Sequence, residues 1–525
     1  MSPALDWRRP PPLDFDTLAP PGSPAGTPIP VDCAERDLFG LLAAAAERDP
    51  DGIACWSASD APTRREFQTR VAAAARAFER APPGAVALVL TDGPASLSAA
   101  LGCLCAGRVA LLLDARLPRA RLEAALRDAA PGSVARDDAL APFDGWPDMA
   151  LSAALRDAAP AGWRPAAPFD PDAPAAVFYT SGSTGAPKGI AASMRGTLRR
   201  AQVGIEGWRL GAWARMLNAS PFARHSSFAR LLGAVCAGTR IVHCSPAEDG
   251  FVAFRDRLRA HAPTHLIANP ALVRAALPLS GFAEALASVC ALRSAGAALL
   301  PADIALARSA LSPDAIVDTT YASTEAGIVA SWIVPRGLPD DGPRIPSGYL
   351  LGDHDIAIDA PDADGTGELV LRGPTLARGE WRAGRCEPGR MEPCPDDPRA
   401  RAFRTGDRVR IGPDGLLRFA ESADRQVKIN GARVEPGDLE AALRRAGARD
   451  AVVAARGTAE APRLWAFVAV DGDPDAQPAR LRAYCAANLP PPLRPARIVA
   501  MASFPLSSGG KPDVPRMLAE HPEGG

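Results

Sequence analysis

Between residues 86 and 130, short apolar runs alternate with longer amphipathic stretches. VALVLTD at 86–92 reads as a buried strand and PASLSAALGCLCAG at 94–107 as a helix. VALLLD at 109–114 reads as a second strand and LPRARLEAALRDAA at 117–130 as a second helix. Near-continuous apolar strands separated by helices predict a parallel sheet covered on both faces. The alternation returns after residue 185, with a helix near 193–203, strand-like RIVHC at 240–244, a helix near 250–261 and THLIAN at 264–269. A second α/β lobe is expected there. Between about 350 and 420 the pattern shortens to strands with turn signals, DADGTGELVLRG and RVRIGPDGLLRFA, which predict a small antiparallel β-subdomain.

After residue 424 the order changes again: QVKINGARV, helical PGDLEAALRRAG, strand-like DAVVAARG and RLWAFVAV, helical PARLRAYCAAN, then strand-like RIVAMASF. That is the size and order of a separate α+β domain. The expected organisation is a Pro-rich extended arm over 1–30, a core over 31–423 that includes the β-subdomain at about 345–423, and a C-terminal α+β lid over 424–525.

Composition narrows the function classes. With 525 residues, 47% of them apolar, the chain has material for more than one packed domain and is no disordered segment. A formal net charge of -1 points to neither nucleic acid nor an anionic membrane as partner. The ten cysteines show neither zinc-site spacing nor the density of a disulfide scaffold. No leader and no bilayer-length apolar run is evident, so a cytoplasmic location is expected.

The most informative stretch is VFYTSGSTGAPKGI at 177–190, where an apolar strand runs into Gly and hydroxyl residues and then a lysine. Gly182, Gly185 and Gly189 permit close backbone approach, while Thr180, Ser181, Ser183 and Thr184 offer donors to phosphate oxygens and Lys188 adds a positive charge. A Walker-type loop requires Gly-Lys followed by Ser or Thr, whereas here Lys188 follows Pro187 and precedes Gly189.

This stretch resembles the phosphate-binding signature of the acyl-adenylate-forming superfamily, which includes acyl-CoA synthetases, luciferases and the adenylation domains of non-ribosomal peptide synthetases. The resemblance continues in order through AGRVALLLDARLPRARLEAAL at 106–126, YASTEAG at 321–327, GELVLRG at 367–373, RTGDRVR at 404–410, ADRQVKINGARVE at 423–435 and PLSSGGKPD at 505–513. It implies activation of a carboxylic acid by ATP and Mg2+ to an acyl-AMP, then transfer to a thiol. By the same resemblance, Thr184 and Lys188 act on the phosphates and Thr324 lies near the α-phosphate. Glu325 is the Mg2+ carboxylate, Tyr321 stacks on the adenine, Gly296 is a further nucleotide-binding position, Asp407 binds the ribose hydroxyls and Lys511 reaches the reacting carboxylate. Asp424 would be the hinge of the lid, with Lys428 and Gly431 on its thiol-transfer face.

Three departures bear on the substrate and cofactor. Ser422 stands where the family usually has an Arg, and Thr319 where it has an Asn or Asp near the adenine. RHSSFARLLGAVCAG at 224–238 sets His225 where an Asp pairs with the α-ammonium of an amino acid, so an acid without an ordinary free α-amino group is expected. The other pocket positions implied are Ser226, Ala229, Ile267, Arg293, Ala295, Thr320, Ile328 and Val329. Arg293 would either hold an acidic or carbonyl-bearing substrate tail or point to solvent at a strand end. The expected acceptor is the phosphopantetheine of a separate carrier protein. Free CoA is the alternative, and a catalytically silent nucleotide-binding protein is an alternative of another class.

Overall fold

The computed structural model describes residues 38–157, 159, 162–165, 170–181, 187–297, 299–337, 344–351, 354–422, 427–429, 432–434, 436–457, 463–489, 493–507 and 510–522. In the first lobe, β1 (Val86–Leu90) is buried at every position and pairs in parallel with β2 (Ala110–Asp114) on one side and Ser133–Arg136 on the other. β2 in turn pairs in parallel with β3 (Pro174–Ser181). β3 turns back on β4 (Pro187–Ser193) as an antiparallel pair, and Gly379–Arg382 extends the sheet beyond β4. Helix Pro94–Cys105 is almost wholly buried. A Cβ at Gly102 would sit 2.5 Å from Ala74 Cβ, so this glycine lets the helix cross Arg64–Glu79 closely.

The second lobe is a mixed sheet. Here β5 (Arg215–Asn218), β6 (His265–Ala268), β7 (Ala291–Ala295) and β8 (Ile316–Ser323) run parallel in that order, and β9 (Gly327–Ile333) closes antiparallel on β8. Two helices, α1 (Met194–Trp208) and α2 (His225–Ala237), pack together between the two sheets. Phe178, Leu198, Phe228, Leu232 and Ile267 all belong to the core they share. The helix expected near 193–203 thus runs a turn further, because Ile205 and Trp208 continue its buried stripe.

The β-subdomain is antiparallel, with Gly367–Gly373 paired to Asp355–Asp359 and to the long strand β10 (Asp397–Ile411). Gly367–Gly373 alternates buried and half-buried residues, as its sequence predicts. The C-terminal small domain joins strands Asp450–Arg456, Arg463–Ala469 and Arg497–Met501 with helices Pro436–Arg445 and Gln477–Asn488 around Leu439, Leu443, Ala466, Val468 and Leu481. It docks on the larger body through Arg274, whose Nη1 lies 2.6 Å from Asp450 Oδ1 while its Nε donates to Asp303 Oδ1 at 2.7 Å. The fold class expected from sequence is the one observed: α/β lobes, a β-subdomain and a small α+β domain.

Candidate active site

The ends of β7 and β8, the Asp407 stretch of β10 and the C-terminal loop meet at one place. Lys188 begins β4, and its Nζ lies 3.5 Å from Glu380 Oε1, a partner the sequence did not reveal. Gly182, Ser183, Thr184 and Gly185 lie outside the described residues, as do the side chains of Thr180 and Ser181. The β8–β9 turn carries Thr324 and Glu325, tightened by the Ala326 amide donating to Ser323 Oγ at 3.0 Å. Tyr321 donates its hydroxyl to Asp407 Oδ2 at 2.7 Å, so the expected adenine and ribose residues are brought together. Burial and the Asp407 carboxylate push the Tyr321 phenol well above its usual pKa, which keeps it a donor.

The C-terminal loop enters the same cleft. Asn269 Nδ2 donates to the Gly510 carbonyl at 2.7 Å, and Lys511 reaches Gly296: a Cβ there would lie 3.4 Å from its Cε and 3.7 Å from its Nζ. Lys511 stays solvent-accessible, yet crowding by the cleft walls and the Arg224 guanidinium hold its pKa below the ordinary lysine value. Among the described residues no cluster of three or more His, Cys, Asp or Glu could hold a metal ion. A half-exposed Glu325 fits a hard cation that is carried on substrate phosphates and needs few protein ligands. Asp424 and Gly431 lie outside the described residues, as does the Lys428 side chain. The Lys428 backbone pairs with Arg433 in a two-stranded ribbon.

At the acid end His225 opens α2, buried and stacked on Phe178 with centroids 4.3 Å apart and planes at 8°. Its Nδ1 lies 2.6 Å from Arg200 Nη1. The same Nδ1 lies 3.0 Å from the Thr324 carbonyl, so it faces a donor and an acceptor at once, and Nε2 is buried without a partner. Burial and Arg200 keep His225 well below its usual pKa, hence neutral. Arg200 also donates to the carbonyls of Thr324 at 2.9 Å and Glu325 at 3.0 Å, and so holds the backbone of the β8–β9 turn. Burial lowers its pKa to about 9, which leaves it a cation at neutral pH.

Neither expectation for Arg293 describes where it lies. In register, Ile267 on β6 faces Arg293 on β7, which faces Asp318 on β8, so all three point from one face of the sheet. Arg293 Nε donates to Asp318 Oδ1 and Oδ2 at 3.0 and 2.9 Å, and its guanidinium lies 4.2 Å from the centre of the Trp208 ring. The anion that offsets its burial belongs to the protein, not to solvent or a substrate. Ala295 and Thr320 form the next row of the same face. Thr320 Oγ1 is 3.4 Å from Ser331 Oγ. Ala229 and Val329 are buried, Ile328 is half-buried and Ser226 is exposed.

Residues 42–381 match the family of AMP-binding enzymes. The chain belongs to this family. It is 32% identical over 441 residues to the pyochelin synthetase PchE of Pseudomonas aeruginosa, covering 80% of this chain and 29% of that protein. It is also 32% identical over 451 residues to the phosphinothricin tripeptide synthetase PhsC of Streptomyces viridochromogenes, covering 82% of this chain and 40% of that protein. The chain therefore spans well under half the length of these curated relatives. The solved structure of Klebsiella oxytoca NpsA in complex with 3-hydroxyanthranilyl-AMSN superposes with a TM-score of 0.75 at 20% identity, covering 92% of this chain and 98% of that one.

As a member of the AMP-binding family, the chain is an AMP-forming ligase that uses ATP to form an acyl adenylate from a carboxylic acid. Besides the Lys188–Glu380 pair, three features of this enzyme escaped the sequence reading: Arg200 against His225, Asp318 against Arg293, and the Arg274–Asp450 contact between the two domains. Only the first left a signal. Thr197, Ala201, Gly204, Ile205 and Trp208 are buried on α1, and Arg200 falls on that same stripe, where a charge has no ordinary place. The described residues include no helix long and apolar enough to cross a membrane.

Proposed function

We propose that this enzyme activates a carboxylic acid that carries no free α-ammonium group and passes its acyl group to the phosphopantetheine thiol of a separate carrier protein. The observation that carries the first half is the Arg200–His225 contact. Where the related amino-acid-activating domains hold a carboxylate, this chain sets a neutral imidazole and a buried guanidinium. An ammonium next to that cation would meet repulsion and no counter-charge. The unpartnered Nε2 of His225 instead suits a neutral polar group on the acid, such as a hydroxyl.

In the first half-reaction a carboxylate oxygen attacks the α-phosphorus and the bond to pyrophosphate breaks. Lys511 offsets charge on the approaching carboxylate, Lys188 offsets charge on the phosphates, and Tyr321 orients Asp407 for the ribose. Glu325 would hold a bound Mg2+, which would supply charge neutralisation for the phosphates. In the second half-reaction the thiol sulfur attacks the acyl carbon and AMP leaves with the bonding electrons. The relative PhsC, a tripeptide synthetase by name, supports a carrier-bound acceptor.

The test is pyrophosphate release with hydroxylamine trapping across α-amino, aryl, hydroxy, fatty and dicarboxylic acids, followed by loading of a carrier against free CoA. Turnover of acids without an α-amine is the expected result. Preferred turnover of an ordinary α-amino acid would sink the substrate reading, and faster turnover with free CoA would replace the carrier.

A further inference from the structure

We propose that Asn269 and Arg274 are positioning residues for Lys511: from the start and the end of one short helix they seat the small domain and its C-terminal loop so that this lysine reaches the cleft. The inference rests on the part given to Lys511 above and deepens it. The loop that carries Lys511 is closed on itself. The Ser507 amide donates to the Lys511 carbonyl at 2.7 Å and the Gly510 amide to the Ser507 carbonyl at 2.8 Å. A turn tied in this way moves as one piece, so a contact at its tip sets where the lysine stands. Asn269 makes that contact. Its Nδ2 donates to the Gly510 carbonyl at 2.7 Å, while its Oδ1 accepts from the Leu272 amide at 2.8 Å and caps helix Pro270–Ala276. One side chain thus starts the helix and holds the loop. Gly510 permits the approach: its φ is +67°, and a Cβ there would lie 3.0 Å from Asn269 Nδ2.

The second contact comes from the last turn of the same helix. Arg274 spans carboxylates of two domains, with Nε donating to Asp303 Oδ1 at 2.7 Å and Nη1 lying 2.6 Å from Asp450 Oδ1. Asp450 also accepts from Arg444 Nε at 3.0 Å. Anions and cations therefore alternate across the boundary, and the Asp303, Arg274 and Asp450 side chains are exposed by only 2%, 13% and 7%. Each domain brings one acid and one arginine already paired within it, Asp303 with Arg274 and Asp450 with Arg444. The junction can form and separate without leaving a charge alone, which is the property of a docking contact and not of a core pair. A guanidinium is planar and its donors are fixed in direction, so one that bridges two carboxylates sets the approach of the small domain as well as its distance.

The experiment compares wild type with Asn269→Ser, which keeps a helix cap but loses the amide donor, and with Arg274→Lys, which keeps a cation beside Asp303 but loses the fork. Two rates are read: pyrophosphate release with ATP and the acid panel, and thioester formation from a chemically prepared adenylate of the preferred acid, with pantetheine as the thiol. Asn269→Ser is expected to lower kcat for pyrophosphate release by about 3- to 10-fold, the worth of one hydrogen bond, and Arg274→Lys by more. KM for ATP holds, because Tyr321 and Asp407 lie outside the small domain, and thioester formation keeps its rate. In a Lys511→Ala background the added loss disappears, since residues that act through the lysine have nothing left to position. Equal slowing of both half-reactions, or the full loss repeated in the Lys511→Ala background, overturns the proposal and makes the two residues structural. If no acid is turned over, the adenylating reading fails, and hydrogen exchange still decides on Asn269 and Arg274. Faster exchange of the Ser507 and Gly510 amides in both variants supports the proposal, and exchange at the wild-type rate overturns it.

Discussion

At the nucleotide end of the cleft the charged side chains stand in or next to water. Lys188, Glu325 and Asp407 are half-buried and Lys511 is exposed. At the acid end they are taken out of it: Arg200, His225, Arg293 and Asp318 are exposed by 7%, 1%, 4% and 2%. The first arrangement keeps its charges within reach of water, with Lys188 beside Glu380 and Asp407 accepting from Tyr321. The second commits each charge to a partner inside the protein, so the energetics of the acid end are those of a core with ions in it. Breaking a pair there therefore costs far more than changing a group at the nucleotide end.

The largest effect is expected from Asp318→Asn. It leaves the Arg293 guanidinium buried with its bidentate partner gone, a change that costs about 3–5 kcal/mol. Urea unfolding should show the midpoint falling with little change in slope. Converting both members to apolar residues, Arg293→Met with Asp318→Leu, should recover most of that loss, because the cost lies in the unpaired charge. A single variant as stable as wild type would mean that water or Trp208 compensates, and the contrast between the two ends would then be one of position alone.

The same contrast explains what the sequence told and what it withheld. Strands, lobes and the small domain were legible because burial on both faces writes itself as apolar runs, and VALVL at 86–90 is buried at every position. At the nucleotide end, Asp407 and Tyr321 were singled out separately from two motifs on two strands, and they meet at 2.7 Å. The acid end was not legible because roles there are settled by pairing across elements. Arg293 on β7 looked like a substrate ligand until Asp318, one strand over, was seen to occupy it. Arg200 on α1 and His225 on α2 are 25 residues apart, and neither residue implies the other.

Acidification should separate the two ends next. Burial lowers His265 to a pKa of about 4, with Trp208 O accepting its Nε2 proton at 3.0 Å, and lowers His243 likewise to about 4. Unfolded, each histidine titrates near 6.5. Between these values the unfolded chain binds a proton that the folded chain refuses, so stability rises with pH from about 4 to 6.5 and is lost as pH falls through that window. Each group contributes about 1.4 kcal/mol per pH unit there. Unfolding curves across the window should be less steep in pH for His265→Gln than for wild type. Equal slopes would mean that His265 is not held neutral by its surroundings.

The smallest effect belongs to the nucleotide end. Tyr321→Phe removes one hydrogen bond to a carboxylate that water can still reach, so the net loss is about 1 kcal/mol. Because the role proposed for that bond is to orient Asp407 for the ribose, away from the reacting atoms, the loss should enter KM for ATP, raised by about three- to tenfold, with kcat and the unfolding midpoint little changed. The edge-on contact of the ring with Phe419, 4.7 Å between centroids, survives the substitution and keeps the aromatic body in place. If kcat falls instead while KM holds, Tyr321 acts in the transition state. If the unfolding midpoint falls by several kcal/mol, the Tyr321–Asp407 pair behaves like Arg293–Asp318, and the distinction drawn between the two ends of the cleft does not hold.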